Sequence, residues 1–195
     1  MRHSLAVEDP SAFFEGPLDV FHEVILALRG LPMPIVAAVN GPAVGAGMNL
    51  ALSADIVHAS PEAIFSEAFV RLGLVPDCGG TYFLPRLIGM ARAAELMFTG
   101  DQIDAEQALE IGLVSRVVPA DQLLPGAQQL ARRLARGPTA AIGRCKALLQ
   151  RSFQSSLEQM LQLERQAQIE CGRTADFAEG LRAFAEKRPP QFLGR

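Results

Sequence analysis

The sequence predicts an α/β core followed by a helical tail, on three observations. Short β-rich runs alternate with helical segments up to about residue 119. Small, glycine-rich turns lie where strands give way to helices. From about Ala120 onward the strand signals stop and four helical segments follow. This divides the chain into an α/β core over residues 1–119 and a C-terminal helical subdomain over residues 120–195.

Residues 1–16 read as irregular. In "PLDVFHEVILALRG" Pro17 opens a helix and Gly30 stops it, with Leu18, Phe21, Ile25 and Leu28 on one face. Ile35 to Val39 reads as a buried strand ending in an Asn-Gly turn signal. "GPAVGAGMNLALSA" goes from small residues into a helix, and "DIVHAS" and "AIFSEA" read as strands. Helices are expected from near Thr81 and again up to Gly100. Asp104 and Gln107 have the spacing of a capping box, and Gly112 ends that helix before the strand "LVSRVV". In the tail, Phe177, Leu181 and Phe184 form one stripe of the last helix, which reads as a core face.

A hydrophobic share of 49% with 20% charged residues is globular and rather apolar, which hints at surface buried in a homo-oligomer. A net charge of −3 supplies no basic field for nucleic acid or an anionic membrane. No apolar run is long enough to span a bilayer, and the N-terminus lacks the apolar core of a signal peptide. Cys78, Cys145 and Cys171 are an odd set at unrelated spacings, which fits neither a disulfide framework nor a zinc site. A cytoplasmic protein is expected. His3, His22 and His58 have no partners at metal-ligand or triad spacing, so no metal site is expected.

Two stretches carry chemistry. "NGPAVGAG" lies between a strand and a helix but lacks the spacing of a dinucleotide or phosphate loop. It serves either close packing or the approach of backbone N–H groups to a ligand oxygen. "GLVPDCGGT" places one acid, Asp77, among glycine, proline and apolar residues. Asp77 is either turn chemistry or an ionisable group at the edge of a pocket. Glu67, two residues before Phe69, reads as sharing a strand face with it, either as a displaced carboxylate of the site or, the favoured reading, as a solvated or ion-paired residue.

"IVAAVNGPAVGAGMNLALSADIVHAS" and "FVRLGLVPDCGGTYFLPRLIG" resemble the crotonase (enoyl-CoA hydratase/isomerase) superfamily, and the likeness continues to "EGLRAFAEKRPPQF". Within it, the ring-epoxide and enoyl-CoA isomerases look most similar. The resemblance implies a spiral of ββα units and a substrate that is an acyl-CoA thioester of fatty acid or phenylacetate metabolism. Coenzyme A then arrives with the substrate, and no further cofactor is implied. It also implies a trimer or hexamer assembled through the helical tail. The backbone amide of Ala46, between Gly45 and Gly47, corresponds to an oxyanion donor. The two hydratase glutamates would fall at Asn49 and Phe69, neither of which can act as a base, so hydration is disfavoured. Asp77 matches the acid/base of isomerases, with Gly79 beside it. Phe184 and Lys187 match positions that touch the CoA nucleotide from a neighbouring subunit.

The family's leading segment, whose motif supplies a second oxyanion amide, has no match in Met1–Gly30. The resemblance therefore implies a chain truncated at its N-terminus relative to the family. Loss of one such donor costs about 2.7–4 kcal/mol of transition-state stabilisation. Three activities follow as expectations: an isomerase using Asp77, another reaction of the family (hydratase, or dehalogenase type with Asp77 as nucleophile), or a non-catalytic CoA-binding remnant.

Overall fold

The strand and turn signals of the first half organise into ββα units. The computed structural model describes Ser11 and residues 14–195, so His3 and most of the irregular start lie outside the described residues. Helix α1 spans Pro17–Gly30, with Ile25 its buried residue. Leu18 and Leu28 are half-buried and Phe21 is exposed, so the expected stripe is covered only in part. Arg29 anchors its C-terminal end: Nη1 donates to the Ser53 carbonyl at 3.3 Å and pairs with Asp55 at 3.2 Å.

The first unit is β1 (Val36–Val39), β2 (Pro42–Val44) and α2 (Ala46–Leu52). The second is β3 (Ile56–Ala59), β4 (Ile64–Ser66), a 3-10 turn (Ala68–Leu72) and α3 (Gly80–Ile88). Helix α4 (Met90–Thr99), β5 (Gln102–Asp104), α5 (Ala105–Glu110) and β6 (Arg116–Val117) follow. Strands β1, β3 and β6 form one parallel sheet, with Val36 opposite Ile56 and Val39 opposite Ala59. Strand β2 runs parallel to β4 in a second sheet, and β5 pairs antiparallel with β4. The two strands of each unit thus belong to different sheets. The Asn40-Gly41 turn therefore redirects the chain from one sheet to the other instead of closing a hairpin. This is the ββα spiral that the resemblance implied. Met48, Phe65 and Leu84, all fully buried, lie in the core of these layers.

Two compact units emerge. One holds the described residues up to Gly30 and Val36–Pro125, and the other holds Leu31–Ile35 and Gly126–Arg195. The division falls within α6 (Ala120–Ala135). The second unit continues with α7 (Thr139–Ser152), α8 (Leu157–Cys171) and α9 (Ala175–Ala185). Arg144 of α7 reaches Glu170 of α8 at 2.9 Å. The short Leu31–Ile35 segment lies on α7, where a Cβ on Gly143 would stand 2.7 Å from the Pro32 carbonyl oxygen. Buried Lys146 donates to the Met33 carbonyl at 3.0 Å.

The last helix corrects the expected core stripe. Phe177, Leu181 and Phe184 are all exposed, Phe184 by 87%, whereas Asp176 and Ala183 are buried. The reason is the C-terminal segment: the Asp176 carboxylate accepts from the Leu193 amide at 2.6 Å and the Gly194 amide at 2.9 Å. These charge-assisted bonds turn the polar position inward and leave the apolar stripe outward. Phe177 and Leu181, with Leu161 and Phe192, line a groove of about 650 Å³ within this unit. Among the described residues no helix is long and apolar enough to cross a membrane.

Candidate active site

The glycine-rich turn ends β2 and starts α2. Gly45 adopts a left-handed φ of 56°, and a Cβ there would meet the Phe69 ring at 3.3 Å, so both conformation and contact call for glycine. The opening amides of a helix have no intrahelical acceptor. The Ala46 N–H makes no hydrogen bond within the described residues and is free for an incoming oxygen.

One turn into α2, Asn49 is fully buried. Its Nδ2 donates to the Asp77 carbonyl at 2.9 Å and lies 3.4 Å from Oε2 of Glu67. The Gly80 amide donates to the same Asp77 carbonyl at 2.9 Å. The backbone at Asp77 is therefore held by a side chain from α2 and by the first amide of α3. Gly80 makes this possible, because a Cβ there would fall 2.5 Å from Asn49 Nδ2. Gly79, at a left-handed φ of 84°, packs against Phe83 in the same way. Asp77 itself is half-buried, and its Oδ1 has no hydrogen-bond partner among the described residues.

Cys78 completes the loop at a φ of 48°, unusual for a residue with a side chain. Burial pushes its thiol up to about 12, aided by the hydrogen bond and charge of Asp77 and the charge of Glu67. A thiol held protonated in this way is a packed residue, not a nucleophile. His58 is buried in β3, and burial together with Arg116 lowers its pKa.

Glu67 departs from its sequence reading. The strand ends at Ser66, and Ala68–Leu72 winds into a 3-10 turn, so Glu67 and Phe69 share no strand face. Glu67 is fully buried, neither solvated nor paired with a cation among the described residues. Burial, with a smaller contribution from the Asp77 charge, raises its pKa to about 7 against the lowering effect of the Asn49 hydrogen bond.

The structure thus brings Asn49, Glu67, Asp77 and Gly80 together, with Phe69 lying on Gly45. Phe184 and Lys187 belong to the helical unit, where both are exposed and Lys187 has a φ of 54°. Among the described residues no group of three or more His, Cys, Asp or Glu is arranged to hold a metal ion.

The profile of the family described as enoyl-CoA hydratase/isomerase matches residues 12–195. The chain belongs to the enoyl-CoA hydratase/isomerase family. Its relatives include 1,2-epoxyphenylacetyl-CoA isomerase of Escherichia coli, 47% identical over 90% of this chain and 67% of that protein. A Rhodobacter capsulatus protein named "Probable enoyl-CoA hydratase" is 45% identical over 90% of this chain and 68% of that protein. The crystal structure of enoyl-CoA hydratase from Bacillus anthracis superposes with a TM-score of 0.92 at 34% identity, covering all of this chain and 75% of the other. The chain spans about two thirds of the length of these curated relatives. Named isomerases and hydratases both occur among them, so family membership alone does not choose the reaction.

Sequence reasoning missed Gly80 and weighted Glu67 toward the wrong reading. Gly80 was legible only as the second half of a Gly-Gly pair. Glu67 carried a misleading signal, since a charged residue at a strand end normally faces solvent.

Proposed function

We propose that this chain is an acyl-CoA thioester isomerase that moves a double bond or opens a ring epoxide by single-carboxylate proton transfer. Asp77 takes a proton from a carbon next to the thioester-conjugated system. The electron pair moves onto the thioester oxygen, where the Ala46 N–H stabilises it, and the proton returns at another carbon. Atoms and electrons balance with one acid/base group. One observation carries the reading: the positions where hydratases of the resemblance hold glutamates are Asn49, spent on the Asp77 carbonyl, and Phe69, an apolar ring on Gly45. With no base at either, activation of water lacks its acceptor.

Gly45, Gly47 and Gly79 would let the thioester approach the backbone closely. Phe184 and Lys187 would touch the CoA nucleotide of a neighbouring subunit in a trimer or hexamer. Coenzyme A is part of the substrate, no separate cofactor is needed, and the protein works in the cytoplasm.

The test is turnover of a 3-enoyl-CoA and of epoxyphenylacetyl-CoA by wild type and D77N, with hydration of a 2-enoyl-CoA scored in parallel. Wild type is expected to isomerise at least one substrate, and D77N to lose about 10²–10⁴-fold in kcat. Binding of CoA thioesters without isomerisation overturns the reaction, and full activity in D77N overturns the assignment of Asp77. The hydratase-named relatives support the competing reading, which hydration as the main activity would establish.

A further inference from the structure

The buried cluster around Asp77 is short of donors. Oδ1 of Asn49, Oε1 of Glu67 and Oδ1 of Asp77 are all buried and none has a hydrogen-bond partner among the described residues. The Asn49 amide is the strong side-chain donor of the group, and it is already directed at the Asp77 carbonyl and Oε2 of Glu67. Cys78 adds only a weak S–H donor. Among the described residues no cation pairs with these oxygens. Arg71, on the 3-10 turn that follows Glu67, pairs with Asp101 at the surface. Helix α4 packs on that turn and carries Arg92 and Glu95 at exposed positions. On β5, Asp104 caps α5 and accepts from the Gln107 amide. Strand β2 and helix α2 carry no charged residue. Among the described residues, Asp77 and Cys78 are therefore the titratable groups that Glu67 meets.

We propose that Glu67 is a second carboxyl of the Asp77 site, a positioning residue that carries a hydrogen instead of a charge and so adds one donor to a cluster of unpaired acceptors. The inference rests on the Asp77 isomerase reading for its catalytic consequence, though not for its protonation. A neutral Glu67 leaves Asp77 as the one negative charge behind the substrate. When Asp77 removes a proton, negative charge moves to the thioester oxygen, and an ionised Glu67 would oppose that anion. An alkaline loss of activity with its midpoint near 7 follows. Burial and the neighbouring Asp77 charge, which hold the Glu67 proton to about pH 7, support this.

Two readouts test it. In protein labelled with carbon-13 at the glutamate carboxyl, one signal that is missing from E67Q is expected to titrate near 7. A Glu67 signal titrating near the ordinary 4.5 overturns the proposal whether or not the protein is active. E67M, an apolar replacement of similar volume, provides an independent assignment of that signal. In turnover, wild-type kcat/KM is expected to fall about tenfold per pH unit above 7, while E67Q stays flat. E67M, which offers Asn49 no acceptor, is expected to fall below E67Q at every pH. An alkaline limb that persists unchanged in E67Q overturns the catalytic role. Should wild type isomerise nothing while the carbon-13 signal titrates near 7, the isomerase reading falls and the buried carboxyl stands.

Discussion

Asn49 is the residue on which the site's geometry depends. Its amide is the link between α2 and the Asp77 loop, with the Gly80 amide as the other support of the same carbonyl. N49A removes a buried donor and leaves two acceptors, the Asp77 carbonyl and Glu67, less well served. The expected cost is about 1–3 kcal/mol in thermal or urea denaturation. N49D is expected to be worse, because it sets a third carboxyl against Glu67 and Asp77. G80A attacks the link from the other side: its Cβ would fall within 3 Å of the Asn49 amide. G80A should therefore lower kcat with Asp77 chemically intact, and an unchanged kcat would show that Asn49 moves aside without consequence. Asn49, Phe69 and Asp77 were legible because each stands in a recognisable motif. The burial of Glu67 was not, because it depends on the chain leaving the strand at Ser66 for a 3-10 turn, which three residues of β pattern cannot announce.

Elements with local chemistry of their own were read correctly. Asp104 accepts from the Gln107 amide at 2.8 Å, and the Gln107 side chain returns the bond to the Asp104 amide at 3.0 Å. This is the capping box that their spacing implied, at the start of a helix only six residues long. So short a helix depends on its cap, and D104A is expected to cost about 0.5–2 kcal/mol, read as a lower melting temperature. Strands β2 and β5, three residues each, were missed because Pro42–Val44 lies inside the small-residue turn and Gln102–Asp104 runs straight into the capping box. The apolar stripe of α9 shows the opposite failure. Period 3.6 identified the stripe, but its direction was set by Asp176 capturing the amides of Leu193 and Gly194, a contact across 17 and 18 residues.

For the whole molecule, the buried titratable groups make stability depend on pH in opposing senses. Glu67 binds its proton more tightly in the fold than in the unfolded chain, where the ordinary value is 4.5. Its contribution is full below 4.5 and is lost as pH rises to about 7, beyond which it changes no further. A shift of this size corresponds to on the order of 3 kcal/mol. His58 acts the other way. Burial and Arg116 lower its pKa from 6.5, so its contribution is present above 6.5 and is lost as pH falls. Glu179, held at about 2 by its hydrogen bonds from Arg188 and the Gln191 amide, contributes fully above 4.5 and loses that contribution as pH falls from 4.5 to about 2. Between 4.5 and 7 the Glu67 loss therefore runs against the His58 gain. E67Q removes the first and leaves the second, so its stability maximum is expected at higher pH than that of wild type. Melting temperatures of the two proteins from pH 4 to 8 provide the check. Whatever constant offset the substitution brings, the difference in favour of E67Q should grow between 4.5 and 7 and then level off. A difference independent of pH would mean that Glu67 ionises in the fold as it does in water.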